Sequence, residues 1–333
     1  MKTVMSFAGL LQGFFTDRLL RQRQASPHTI ASYRDSFRLL LKFAAERLGK
    51  EPSELTLTDL DAPFVGAFLH HLEQDRGNSA RTRNARLAAV RAFFRYIAFE
   101  ELQQSALIQR VLAMPNKCAE KKPIDFLSRP EIEALLSAPD LNTWGGRRDR
   151  ALLLLAVQTG LRVSELVGLN CEDLVLGNEA SYVRCHGKGR KERLTPLRKQ
   201  TTTVLRDWLR EREGRPGEPV FPNSRRGRLS RDGVEHLLAK HVATASTQCP
   251  SLQTKHVSPH VLRHSAAMDL LQHGVDRSVI ALWLGHESVQ TTEVYIHADM
   301  KLKEKVLEKT SPLESPPGRY RPDDPLLAFL ESL

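Results

Sequence analysis

Only four of the 333 residues are cysteine (Cys118, Cys171, Cys185 and Cys249), they lie far apart, and no two form a CxxC pair. That spacing argues against a zinc ribbon and a disulfide framework, and makes the reducing cytoplasm the expected compartment. No stretch approaches the roughly 18 apolar residues that a membrane span needs, so no membrane partner is expected. The apolar run from Val4 to Phe15 follows Lys2 and imitates a signal peptide, but Gln12 interrupts it and Asp17 and Arg18 follow at once. With no small-residue cleavage site, it reads as a first amphipathic helix. Internal repeats are absent. Acids are the minority charge, 39 against 49 Lys and Arg, for a formal net charge of +10. Residues 1–125 carry 19 basic and 13 acidic side chains, so both halves are basic. Such a balance suits a polyanionic partner gripped by two domains, and the length fits two domains of ordinary size.

What is present is mostly helical pattern. In residues 5–112, Ser26-Pro27 opens a helix in which Ile30, Tyr33, Phe37, Leu40, Leu41 and Ala44 recur at helical spacing, until Gly49 to Pro52 stops it. A second helix is predicted from about Asp59 to Glu73. A third, Ala80 to Phe99, carries Leu87, Val90, Phe94 and Ile97 on one face. Arg81, Arg83, Arg86, Arg91 and Arg95 lie on this third helix, Arg76 stands just before it, and no acid stands between Arg76 and Phe99. A charge run is usually a solvated face. Six arginines without a local acid favour a phosphate-tracking surface.

Pro115 to Pro123, with Lys117, Lys121 and Lys122, reads as an exposed basic linker. Ser128-Arg-Pro-Glu131 is a capping box that opens a second domain. An apolar helix from about Arg147 to Thr159 ends at Gly160. Three short strands are predicted over 173–175, 181–185 and 193–196, with turns at Gly177-Asn178 and Gly187 to Arg190. Further helices are expected near 199–211, 230–243, 260–273, 276–284 and 288–308. Prolines 312, 316 and 317 set off a last segment. The predicted organisation is a helical domain over 1–114, a linker over 115–125, a mixed α+β domain over 126–311 and a tail over 312–333. The whole is mainly α with a small antiparallel sheet.

Four clusters carry the chemistry. They are Thr159-Gly-Leu-Arg162-Val-Ser-Glu165, Gly187-Lys188-Gly-Arg190-Lys191-Glu-Arg193, His260-Val-Leu-Arg263-His264, and Leu284-Gly-His286 followed by Tyr295. Singly, each has an ordinary reading: an arginine capping helix carbonyls, a polar turn, a satisfied histidine, a core tyrosine. Together, two arginines, a lysine, two histidines and a tyrosine in this order resemble the active-site signature of the tyrosine recombinase, or phage integrase, family. The Xer-type bacterial recombinases are the nearest likeness. The resemblance is strong over residues 126–310, while residues 5–112 are similar to the family's helical core-binding domain.

The resemblance implies a site-specific DNA recombinase or integrase. Such an enzyme cuts and rejoins double-stranded DNA through a 3′-phosphotyrosyl intermediate and exchanges strands through a four-way junction. It works as a homotetramer, or as a heterotetramer with a related recombinase. It assigns catalytic roles to Arg162, Lys188, His260, Arg263, His286 and Tyr295. Tyr295 attacks, with an ordinary pKa near 10. Arg162 and Arg263 clamp the phosphate, because two planar, permanently charged guanidiniums suit a phosphorane better than ammonium groups. Lys188 protonates the leaving 5′-oxygen. No metal or other cofactor is expected. Arg81, Arg83, Arg91, Arg95, Lys121, Lys122, Arg190 and Lys191 are the candidate DNA-binding residues, with Arg193 a further phosphate contact. A DNA-binding protein without catalysis, a type IB topoisomerase-like relaxing enzyme, and a metal-dependent hydrolase using His260 and His264 are the competing readings. The hydrolase reading lacks the Glu of a His-Glu-x-x-His motif. Leu326, Leu327, Leu330 and Phe329 form an apolar stripe suited to docking on a neighbouring protomer or on its own domain. Integrase, mobile-element transposase and dimer resolvase all fit.

Overall fold

The computed structural model describes residues 6–119, 124–177, 180–186 and 192–285. The chain divides into two compact units, Met1–Lys121 and Lys122–Leu333. The described residues are mainly helical, with one three-stranded antiparallel sheet.

The first unit packs five helices: α1 (Phe7–Gly13), α2 (Pro27–Leu48), α3 (Ala62–Gln74), α4 (Ala80–Ile97) and α5 (Ser105–Ala113). The N-terminal amphipathic run is indeed helical, but it continues from Phe14 to Gln22 with wider π-type turns. The reason is in the spacing: Phe14 and Leu19 are five apart and both fully buried, which a π turn places on one face. Phe14 meets Phe37 and Phe93 edge-on at centroid distances of 6.2 and 5.7 Å, so an aromatic cluster joins α2 and α4. Ser26, Asp61 and Ser79 cap the three long helices with their side-chain oxygens.

The second unit opens as its capping box predicts. In α6 (Arg129–Ser137), the Ser128 amide donates to the Glu131 carboxylate at 2.7 Å. Helix α7 (Trp144–Thr159) begins three residues earlier than expected, capped by Thr143. Within its first turn Gly146 lies so close to the Asp140 carbonyl that any side chain would run into it. Next come α8 (Val163–Gly168), β1 (Leu174–Leu176), β2 (Ser181–His186), β3 (Glu192–Pro196) and α9 (Lys199–Glu211). The first strand starts one residue later than its pattern predicts. Asp173 belongs to a preceding 3₁₀ turn, where its carboxylate accepts the Asn170 amide at 2.8 Å. The strand order is β1-β2-β3, with Val183 opposite both Leu174 and Thr195. Helices α10 (Arg231–Ala245), α11 (Pro259–Gln272) and α12 (Arg277–Leu284) complete the described part. The core is built around Leu152, Leu153, Leu155, Val183, Leu205, Trp208 and Leu238. The expected helix at 288–308 and the tail lie outside the described residues.

Candidate active site and basic face

Gly160 ends α7 with φ +63°, a left-handed conformation that favours glycine. A side chain there would also strike Leu284 and Ala266. This close approach brings the ends of α7 and α12 together beside α11. Arg263, on α11, is 4% exposed and bridges both ends. Its guanidinium donates to the Gly160 carbonyl at 2.6 Å and to the Leu284 carbonyl at 2.7 Å. Arg162, the residue that precedes α8, donates to the Gly285 carbonyl at 3.0 Å. Two arginines that are 101 positions apart in sequence therefore hold consecutive carbonyls immediately before His286. Carbonyl capping was the ordinary expectation for Arg162 at the end of α7. The structure gives that task to Arg263, and turns Arg162 to the end of α12.

Glu165 organises the other side of this cluster. Its buried carboxylate accepts the Arg162 amide at 2.8 Å and the Arg162 guanidinium at 2.9 Å. Arg193, on β3, donates to both carboxylate oxygens at 3.1 and 2.8 Å. Burial alone would raise the Glu165 carboxyl. Hydrogen bonds and charge from Arg193, with help from Arg162, instead hold it below the usual carboxylate range. The same burial pushes the neighbouring Cys185 thiol up to about 12, which keeps it an inert SH. A planar carboxylate shared by two guanidiniums fixes both in orientation. Sequence reasoning placed Glu165 in a motif without giving it a role. Its spacing three residues after Arg162 was the available signal. Arg193, offered as a phosphate contact, is here an anchor instead, with its guanidinium against Gly285.

His260 stands exposed in the first turn of α11, one turn before Arg263. His264 is half-buried, and its pKa is lowered to about 4 by burial and then by the charges of His260 and Arg263. It is a neutral imidazole at neutral pH. Among the described residues no three His, Cys, Asp or Glu side chains gather as a metal site. Lys188, Arg190, Lys191, His286 and Tyr295 lie outside the described residues, as do Lys121 and Lys122.

The arginines of α4 are differently employed. Arg81 and Arg95 are exposed. Arg83 donates to the Pro115 carbonyl at 3.2 Å and lies 4.0 Å from Glu73 on α3. Arg91 donates to the Asn116 side chain at 3.0 Å, and the Asn84 side chain exchanges two hydrogen bonds with Lys117. The exposed 115–117 segment is thus fastened along α4 rather than hanging free, and the face has an acid after all, supplied by another helix. Burial, then repulsion from Arg95 and Arg83, lowers the Arg91 pKa. No described helix is long and apolar enough to cross a membrane.

Comparison with known proteins agrees with this layout. The model of the Phage integrase family matches residues 125–301, and that of the phage integrase N-terminal SAM-like domain matches residues 13–101. The chain is 57% identical over 328 residues to the putative integrase/recombinase y4rC of Sinorhizobium fredii (strain NBRC 101917 / NGR234), covering 98% of each protein. It is 35% identical over 300 residues to tyrosine recombinase XerC of Pelotomaculum thermopropionicum, covering 87% of this chain and 94% of that one. In fold it is similar to the XerH site-specific recombinase crystallised with its palindromic difH substrate in a post-cleavage complex. That likeness has a TM-score of 0.70 and 24% identity, over 86% of this chain and 81% of the other.

Proposed function

The chain belongs to the phage integrase family, as a tyrosine recombinase, and from that premise we propose how its residues divide the work of cutting and rejoining DNA. The enzyme breaks a phosphodiester through a 3′-phosphotyrosyl intermediate and restores it by the reverse step. The covalent bond conserves the energy of the phosphodiester, so rejoining draws on no ATP. Tyr295 is the nucleophile. Its attack on phosphorus builds negative charge on the non-bridging oxygens, which Arg162 and Arg263 receive. Lys188 donates the proton that the departing 5′-oxygen needs. His260 and His286 supply further hydrogen bonds to the phosphate. Arg81, Arg83, Arg91, Arg95, Lys121, Lys122, Arg190 and Lys191 contact the DNA backbone. Paired cleavage requires a tetramer on two duplexes, formed by this protein alone or with a related recombinase, in the cytoplasm.

The observation that carries this reading is the pair of guanidiniums, Arg162 and Arg263, held on adjacent carbonyls directly ahead of His286. A protein that only binds DNA has no use for two arginines, one buried and one half-buried, prearranged in this way. The test is covalent capture. Wild type and Tyr295→Phe are expressed in a bacterial host that carries the native locus, lysed in denaturant, and the DNA still attached is sequenced. DNA on wild type alone identifies the nucleophile and the recombination site together. Equal recovery from both proteins contradicts Tyr295. Recovery from neither, with native DNA binding intact, favours the binding-only reading.

A further inference from the structure

Arg193 is charged, nearly sealed from water, and unused by the mechanism above. It lies on β3, an edge strand whose one neighbour in the sheet is β2. Side chains alternate along a strand. Leu194 is 60% exposed, whereas the Arg193 side chain is 13% exposed. A guanidinium taken out of water needs an anion, and Glu165 supplies it. The approach is close: a methyl group on Gly285 would come within 2.9 Å of the Arg193 Nη1. With both Nη atoms on Glu165 and its Nε buried, Arg193 is placed to act on that carboxylate.

The hydrogen bonds at Glu165 show what that action is. A carboxylate offers about four acceptor positions. Arg193 takes one on each oxygen, at 3.1 and 2.8 Å. The Arg162 amide takes another at 2.8 Å. The Arg162 guanidinium is left with the last, which it reaches through Nη1 alone at 2.9 Å. Its Nη2 donates to the Gly285 carbonyl at 3.0 Å. A guanidinium carries five N–H groups. Among the described residues Arg162 uses one on each Nη, so its Nε–H and the second N–H of each Nη stay open to a phosphate. The side chain is 31% exposed, so a substrate can reach them.

Two things change if Arg193 is taken away. The carboxylate opens to the two-pronged pairing that guanidinium and carboxylate favour, and Arg162 would turn a further N–H from the substrate toward Glu165. The charge balance shifts as well. One carboxylate cancels one guanidinium. Arg162 with Glu165 alone is a neutral pair, while Arg193 leaves the group one positive charge. Charge building on a phosphorane is stabilised by that surplus.

We propose that Arg193 is a positioning residue of the cleavage reaction. By saturating Glu165 it holds Arg162 to a single bond with that carboxylate and leaves the phosphate clamp its positive charge. The proposal deepens the recombinase reading, on which it rests, and needs no contact between Arg193 and DNA.

The test is single-turnover cleavage by Arg193→Gln of the site recovered by covalent capture, with DNA saturating and Kd and thermal melting measured beside it. The rate should fall about 10- to 100-fold, with Kd within about twofold of wild type. Two further readouts separate positioning from support of the fold. A methylphosphonate at the scissile position carries one negative charge fewer and asks less of the clamp. On it the gap between Arg193→Gln and wild type should shrink to about threefold or less. The double variant Glu165→Gln, Arg193→Gln lacks the carboxylate that Arg193 saturates. It should cleave no more slowly than Glu165→Gln alone. A wild-type rate in Arg193→Gln overturns the proposal. So does an equal loss on both substrates, or a double variant slower than Glu165→Gln by the full factor seen in Arg193→Gln. If Arg193→Gln alone fails to fold, the double variant, which leaves no buried carboxylate without its partner, carries the test. If wild type forms no covalent complex with DNA, the recombinase reading falls and the proposal with it. Cleavage by wild type and unchanged cleavage by Arg193→Gln overturn the proposal alone.

Discussion

Arginine does two different jobs in the two units. On α4, Arg81 and Arg95 project into solvent, while Arg83 and Arg91 share their donors with a neighbouring strand of chain. Around α8, Arg162 and Arg193 are locked on a buried carboxylate, and Arg263 is all but sealed from water between two carbonyls. Tracking a DNA backbone needs charge that can adapt to position, and flexible exposed cations supply it. Stabilising a transition state needs donors already in place when charge develops, since reorganisation at that moment raises the barrier. Under the proposed function, the difference in burial and partners is a difference between binding and chemistry.

Substitutions sharpen the comparison. The largest effect is expected at Arg263. Arg263→Ala should lower the rate of single-turnover cleavage about 10²- to 10³-fold, with duplex affinity within about twofold of wild type. Stopped cleavage assays on saturated protein read this directly. A matching loss of affinity would place Arg263 in binding instead.

Next in size is an acid sensitivity that has nothing to do with DNA. Glu131 is buried, accepts the Lys255 ammonium at 2.7 Å and the Ser251 hydroxyl at 2.6 Å, and sits over the start of α6. Burial would raise its pKa, but hydrogen bonds from Lys255, Ser251 and Ser128 bring it down to about 2. A depressed carboxyl contributes stability that is present above its unfolded pKa, near 4.3, and is lost as pH falls toward 2. Glu131→Gln should therefore cost about 2–3 kcal/mol at pH 7, and nearly nothing at pH 2, in denaturant titrations. An equal cost at both pH values would assign the loss to packing.

The smallest effects belong to the exposed arginines of α4. Arg81→Ala and Arg95→Ala should each weaken DNA binding a few-fold, and each should reduce the salt slope by about 0.9. Cleavage by the saturated enzyme should be nearly unchanged. A slope equal to wild type would make this face merely solvated.

Much of this contrast was legible in the sequence, because it rests on local pattern. The helix opened at Ser26-Pro27, the capping box at Ser128 and the three-strand meander follow from neighbouring residues. The parts that were not legible depend on contacts across long stretches of chain. Gly160 reads as a helix stop, but its need to admit Leu284 depends on α12. Arg193 reads as a basic residue of a hairpin, and only the fold brings it to Glu165, 28 positions earlier. Arg83 and Arg91 read as an unpaired face because Pro115, Asn116 and Glu73 approach from outside their helix. Arg162, Arg263 and His260 were identified by motif, and the structure adds what holds each arginine. Lys188, His286 and Tyr295 stand on the motif and on the proposed chemistry.

The claim at the centre of this account is that Glu165 fixes the arginines for chemistry and contributes little to DNA affinity. The direct measurement is the single-turnover cleavage rate of Glu165→Gln with DNA saturating, set beside its Kd. Loss of the carboxylate charge frees Arg162 and Arg193, so the account predicts cleavage slowed about 10- to 100-fold with a Kd near wild type. Cleavage at the wild-type rate by a folded, DNA-saturated Glu165→Gln protein would contradict it.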